Sequence, residues 1–120
     1  MLSFSAHHNY FIYTISVDMR KGYDGLSGIV TNEMGRRPTD GSVYIFFNGT
    51  RDKVKMLIWD VDGYVIYGKR LEKGRFEQIL SQDTSNQYQI AYKHLVMLMS
   101  GISLIGMRQK PRYNMSSAKC

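Results

Sequence analysis

Three short apolar runs in the middle of the chain, Val43–Phe47, Val54–Trp59 and Tyr64–Tyr67, constrain the fold more than any other feature. Each is rich in β-branched and aromatic side chains, the composition of strands. Asn48-Gly49 invites a two-residue hairpin between the first two, but that loop would set Ile45 opposite Asp52. A loop from Asn48 to Lys53 instead sets Phe47 against Val54, Ile45 against Met56 and Val43 against Ile58, so that every pair is apolar. It leaves Arg51 and Lys53 at a sheet end. A tight turn through Asp62-Gly63 then places Val61 opposite Tyr64, Trp59 opposite Ile66 and Lys55 opposite Arg70. Alternation puts Tyr44, Phe46, Leu57 and Trp59 on one face and Ile45, Phe47, Met56 and Ile58 on the other. Both faces are apolar, so the sheet must be covered on both sides.

Two segments are available as cover. Met19, Tyr23, Leu26 and Val30 recur at helical spacing, widened by Ile29 and Met34, and predict a helix near residues 19–34. Asp18 is placed to cap it and Gly35 to end it. Gly22, Gly25 and Gly28 lie along one side; they fit a helix packed closely on another element, or one whose first turn begins later, near Asp24. A shorter helix near 92–100 turns Leu95, Leu98 and Met99 inward and ends at Gly101. Residues 10–15 read as a further strand, and 82–87, Gln-Asp-Thr-Ser-Asn-Gln, as a loop. The expected fold is α+β, a single small domain over residues 1–107. Its antiparallel meander has strands near 10–15, 43–47, 54–59 and 64–70. Residues 108–120 form a basic tail expected to be flexible.

Lys and Arg number 16 against 10 Asp and Glu, a net charge of +6. The excess is uneven. Residues 18–76 contribute +3, residues 77–107 contribute −1, and the tail, with Arg108, Lys110, Arg112 and Lys119, contributes +4. A mildly basic solvated surface and a phosphate-binding face both fit this distribution. The one cysteine, Cys120, excludes an internal disulfide and a cysteine-based metal site. No targeting segment and no stretch near the ~20 apolar residues of a membrane span is evident, so the protein is expected in the cytoplasm, without membrane contact.

Catalytic patterns are sparse. His7 and His8 are adjacent and in extended chain point to opposite faces, and His94 stands alone, so no metal is expected. Gly22-x-x-Gly25-x-x-Gly28 matches neither dinucleotide nor P-loop patterns, so no cofactor is expected. The aspartates Asp18, Asp24, Asp60 and Asp62 fit caps and turns; a small metal-dependent nuclease built on them is the remote alternative, because such sites need at least three carboxylates held together. The eight methionines fill core gaps or line a partner surface. What remains is basic: Arg20, Lys21, Arg51, Lys53, Lys69, Arg70, Arg75 and, in the tail, Arg108, Lys110 and Arg112 are the candidate nucleic-acid contacts. The expected opposition of Lys55 and Arg70 calls for an anion: a phosphate, a partner carboxylate, Glu72 or Asp52.

The string Asp18-Met19-Arg20-Lys21-Gly22-Tyr23-Asp24-Gly25-Leu26-Ser27-Gly28, then Val43 to Asn48, Arg51 to Asp60, Asp62 to Tyr67 and Lys69 to Phe76, closely resembles the TnpB-type accessory protein of the insertion sequence sixty-six family. The resemblance covers residues 18–76; Leu98-x-x-Gly101-Ile102 and the basic tail are also similar. It implies a bacterial transposition accessory protein encoded beside a separate, larger transposase that cuts and joins the DNA. A non-catalytic role follows, with that transposase and insertion-sequence DNA as implied partners. The family usually carries arginines after the asparagine of Phe46-Phe47-Asn48, where this chain has Gly49-Thr50, so a DNA contact made through that loop would be weaker here. A pure protein-interaction module without DNA contact is the alternative.

Overall fold

The computed structural model describes residues 5–78 and 85–100. Its elements are, in order, β1 (Tyr10–Tyr13), α1 (Tyr23–Asn32), β2 (Val43–Phe47), β3 (Lys53–Asp60), β4 (Gly63–Arg70), β5 (Gln87–Ile90) and α2 (Tyr92–Met99). The five strands form one sheet in the order β4-β3-β2-β1-β5. This is the expected α+β class. The meander proper is β2–β3–β4; β1 is shorter than the expected 10–15 and lies parallel to β2, while the other pairings are antiparallel. A parallel neighbour needs a crossover, and α1 supplies it.

The long Asn48–Lys53 loop is present, with Phe47 opposite Val54 and Ile45 opposite Met56. The second turn differs from expectation. Val61 and Asp62, not Asp62 and Gly63, form the loop, and Asp60 faces Gly63. Trp59 therefore pairs with Tyr64, edge to face with ring centroids 5.0 Å apart, and Leu57 pairs with Ile66. Lys55 faces Gly68 rather than Arg70, and Lys53 faces Arg70. The physical reason is that this register sets Leu57 against Ile66 and Met56 against Tyr67, where the expected one would set them against Gly68 and Lys69; that gain outweighs one local conflict, the positive φ of 56° at Val61 that a β-branched residue strongly disfavours. The shift is by two residues, so each side chain keeps its face.

Both faces are covered as the apolar alternation requires. Leu26, Val30 and Met34 pack on Phe11, Tyr13, Tyr44, Phe46 and Leu57. On the opposite face Leu95 and Leu98 of α2 pack against Ile12, Val43, Ile45, Phe47, Met56 and Ile58. Helix α1 is shorter than 19–34. Gly22 is its N-cap without a side-chain bond, and Asp18 is not the cap: its carboxylate accepts from the Arg20 backbone N–H (2.9 Å) and guanidinium (2.8 Å). Gly35 follows the helix at φ 65°, as expected of its position. Gly101, expected to end α2, lies outside the described residues.

Strand β5 replaces part of an expected loop; Gln87, read as loop, begins it, and Tyr88 and Ile90 pack against the α2-side core. Its entrance also closes α1. Asn86 Nδ2 donates to the Glu33 carbonyl and Gln87 Nε2 to that of Met34, both at 2.7 Å. These satisfy carbonyls at the helix end that have no partner within the helix.

Candidate nucleic-acid interface

Strand alternation builds a basic strip at the end of the sheet away from the Val61-Asp62 turn. Lys53 and Lys55 are two residues apart and share the α1 face with Leu57. Arg70 lies opposite Lys53, and Gly68, opposite Lys55, adds no side chain between them. The segment leading into α1 closes the other side: Lys55 Nζ donates to the Lys21 carbonyl at 2.9 Å, and Arg20 stands at the rim. The result is an open groove of about 450 Å³ lined by Arg20, Lys53, Lys55, Gly68 and Arg70.

Its charges are incompletely balanced. Arg20 pairs with Asp18 at 2.8 Å and Arg70 with Glu72 at 3.0 Å, both in the open, where such pairs contribute little. Hydrogen bonds from the Arg20 side chain and backbone hold the Asp18 carboxyl down at about 2. Asp52, beside Lys53 in sequence, is engaged elsewhere, accepting from Asn48 Nδ2 (2.7 Å) and Thr50 Oγ1 (2.8 Å), which also lower its pKa. Among the described residues Lys53 closes no ion pair, although its charge helps to hold the Asp52 carboxyl down. The strip therefore offers cationic donors to an anion entering from solvent.

The other candidate residues divide. Lys69 projects to the opposite face, where its Nζ donates to the Met99 carbonyl at 3.1 Å, a favourable place for a cation at a helix C-terminus. Arg51 is turned inward at φ 58°. Its guanidinium sits 4.1 Å from the centre of the Phe47 ring and donates to the carbonyls of Phe76 (3.2 Å) and Glu77 (2.7 Å). It clamps the segment after β4, and burial pulls its pKa down. Lys21 is exposed, with its carbonyl rather than its ammonium holding Lys55; Arg75 is exposed beyond β4. Arg108, Lys110 and Arg112 lie outside the described residues. Lys55, singled out in the sequence for an expected opposition to Arg70 that the structure does not show, joins the set through its two-residue spacing from Lys53. Gly49 and Thr50 are exposed in the loop just before Lys53, and a Cβ at Gly49 would meet nothing within 4 Å.

Asp18, Asp24, Asp60 and Asp62 do not form a metal site: among the described residues no three His, Cys, Asp or Glu side chains converge to hold an ion. Nor, among them, is any helix long and apolar enough to cross a membrane.

One sheet with a helix on each face and a basic strip at one end defines a small α+β protein. The chain belongs to the IS66 Orf2-like family, whose model, described as "IS66 Orf2 like protein", matches residues 8–109. It is thus an insertion-sequence-associated accessory protein. It is similar to two proteins of Sinorhizobium fredii (strain NBRC 101917 / NGR234). Uncharacterized protein y4jC is 25% identical over 100 residues, 83% of this chain and 84% of that one. Uncharacterized protein y4hO is 29% identical over 92 residues, 77% and 78% of the two chains. No solved structure matches.

Proposed function

We propose that this protein is a non-catalytic accessory factor of transposition that holds the phosphate backbone of insertion-sequence DNA against the Arg20–Lys53–Lys55–Arg70 strip. One observation carries the reading: Lys53 directly opposes Arg70, with Lys55 on the same face. Like charges opposed across a sheet are unfavourable, and the nearby Asp52 carboxylate, hydrogen-bonded to Asn48 and Thr50, offsets Lys53 without pairing with it. A phosphate between the strands relieves the repulsion. Contacts of this kind set position and affinity without reading bases. The transposase of the same element is the protein partner this reading supplies, acting in the cytoplasm on the DNA so held. Residues 1–107 act as the domain and the tail 108–120 adds sequence-independent affinity.

Fluorescence anisotropy with a duplex of the element's end and a scrambled duplex of equal length tests the reading. Both should bind, with affinity falling steeply as salt rises. Replacing Lys53, Lys55 and Arg70 together by Gln should flatten the log–log salt slope by about 2.7, because each neutralised phosphate adds about 0.9 to it. Gly49→Arg with Thr50→Arg, beside the strip, should steepen it. Absence of binding at low salt, or an unchanged slope in the triple variant, refutes the proposal.

A further inference from the structure

Among the described residues β4 is paired on one side only, with β3, and forms an edge of the sheet eight residues long. Long apolar edges are ready templates for another strand. Its flank is apolar as well. Tyr67 of β4 is 42% exposed and Val96 of α2 is 44% exposed, and both line a groove of about 560 Å³ between the edge and the helix, together with Val65 and Met99.

The backbone determines which residues of this edge can bond outward. Asp60 and Gly63 close the turn, and the Leu71 N–H donates to the Asp52 carbonyl at 2.7 Å. Residues directly opposed in an antiparallel pair alternate between exchanging hydrogen bonds and not. Gly63, Val65, Tyr67 and Lys69 therefore turn their N–H and C=O groups toward β3. Tyr64, Ile66, Gly68 and Arg70 turn theirs away from it. An added antiparallel strand must match these outward residues with outward residues of its own.

We propose that the occupant of this edge is a second copy of the chain, its β4 running antiparallel to the first and centred on Ile66. This register satisfies the parity rule: Ile66 meets Ile66 of the other copy at the two-fold axis and Tyr64 meets Gly68. One position beyond the strand, the exposed turn residue Asp62 of each copy comes to the end of the interface where Arg70 of the other lies, bringing opposite charges near each other at both ends. On the α2 side Tyr67 of each copy lies opposite Val65 of the other, extending the apolar strip that begins at Val96. A C2 interface is self-complementary in this manner, residue i meeting j and j meeting i. The product is a continuous ten-stranded sheet. Arg70 also belongs to the basic strip, but pairing through this edge requires no DNA and is measured without it.

Light scattering and sedimentation of the full chain over a range of concentrations test it. The expected mass is that of two chains. Arg70→Asp sets like charges opposite each other at both ends and should raise the dimer dissociation constant by about tenfold or more; Asp62→Arg with Arg70→Asp should restore it. Both positions are exposed, so these variants retain the fold, which circular dichroism checks. Ile66→Cys, in a chain with Cys120→Ser, should cross-link under mild oxidant, because the Cα separation of about 5.5 Å at a hydrogen-bonded pair falls within disulfide reach. A one-chain mass at every concentration, whether the edge is bare or serves a strand of another protein, overturns the proposal. So does a dimer indifferent to both the charge reversal and the Ile66→Cys cross-link.

Discussion

Val61 stands at the first position of the two-residue turn between β3 and β4, with φ 56° and 89% of its surface exposed. In that region the Cβ of an L-residue crowds its own backbone, at a cost of about 1–2 kcal/mol, and branching at Cβ places Val at the upper end of the range. Glycine removes this strain. Against the gain stands the greater freedom of glycine in the unfolded chain, about 0.4–1 kcal/mol. Lost burial adds almost nothing, since the side chain is nearly all in solvent. Val61→Gly should therefore stabilise the protein by about 1 kcal/mol, raising Tm by about 4 °C for a domain of this size. Urea denaturation followed by circular dichroism should show a higher midpoint at an unchanged slope. Asp62, the next residue, has no positive φ, so Asp62→Gly should lower the midpoint. A Val61→Gly midpoint equal to or below that of the parent would refute the argument that side-chain pairing along β3 and β4 holds a strained turn in place.

Arg51→Ala should destabilise the fold by roughly 2 kcal/mol, because it removes two charge-assisted bonds to the Phe76 and Glu77 carbonyls and the cation–π contact with Phe47. The same denaturation assay should show Arg51→Lys failing to rescue it, since an ammonium cannot reproduce the fork of donors. Arg20→Gln should release the Asp18 carboxyl from about 2 toward its ordinary value of 3.8, as read by side-chain NMR titration. The sign follows from a pKa depressed by folding: the pairing contributes above about pH 3.8 and is lost as pH falls through about 2. An Asp18 midpoint unmoved by the substitution would exclude Arg20 as the cause.

What the amino-acid order determined by itself is what alternation can carry. Ile45, Phe47, Met56 and Ile58 face one way and Tyr44, Phe46, Leu57 and Trp59 the other because the strand repeat is two, and two apolar faces demand cover on both sides. The β2–β3 register followed from pairing apolar residues alone, and the family was legible in residues 18–76. The tertiary structure decided what depends on distant partners. Gln87 looks like a loop residue locally, yet its side-chain amide reaches the Met34 carbonyl 53 positions away, and the strand it opens pairs with β1. The pairing of Leu57 with Ile66 and Met56 with Tyr67, not the local preference of Asp62-Gly63, chose the turn and so moved Lys53, rather than Lys55, opposite Arg70. The basic residues were alike in sequence and were sorted only by packing: Lys69 to the end of α2, Arg51 onto Phe47 and two carbonyls, Lys53 half-buried opposite Arg70. Periodicity is a property of neighbours along the chain, whereas the partner a polar group finds is set by elements that meet only when the sheet and helices have closed around one another.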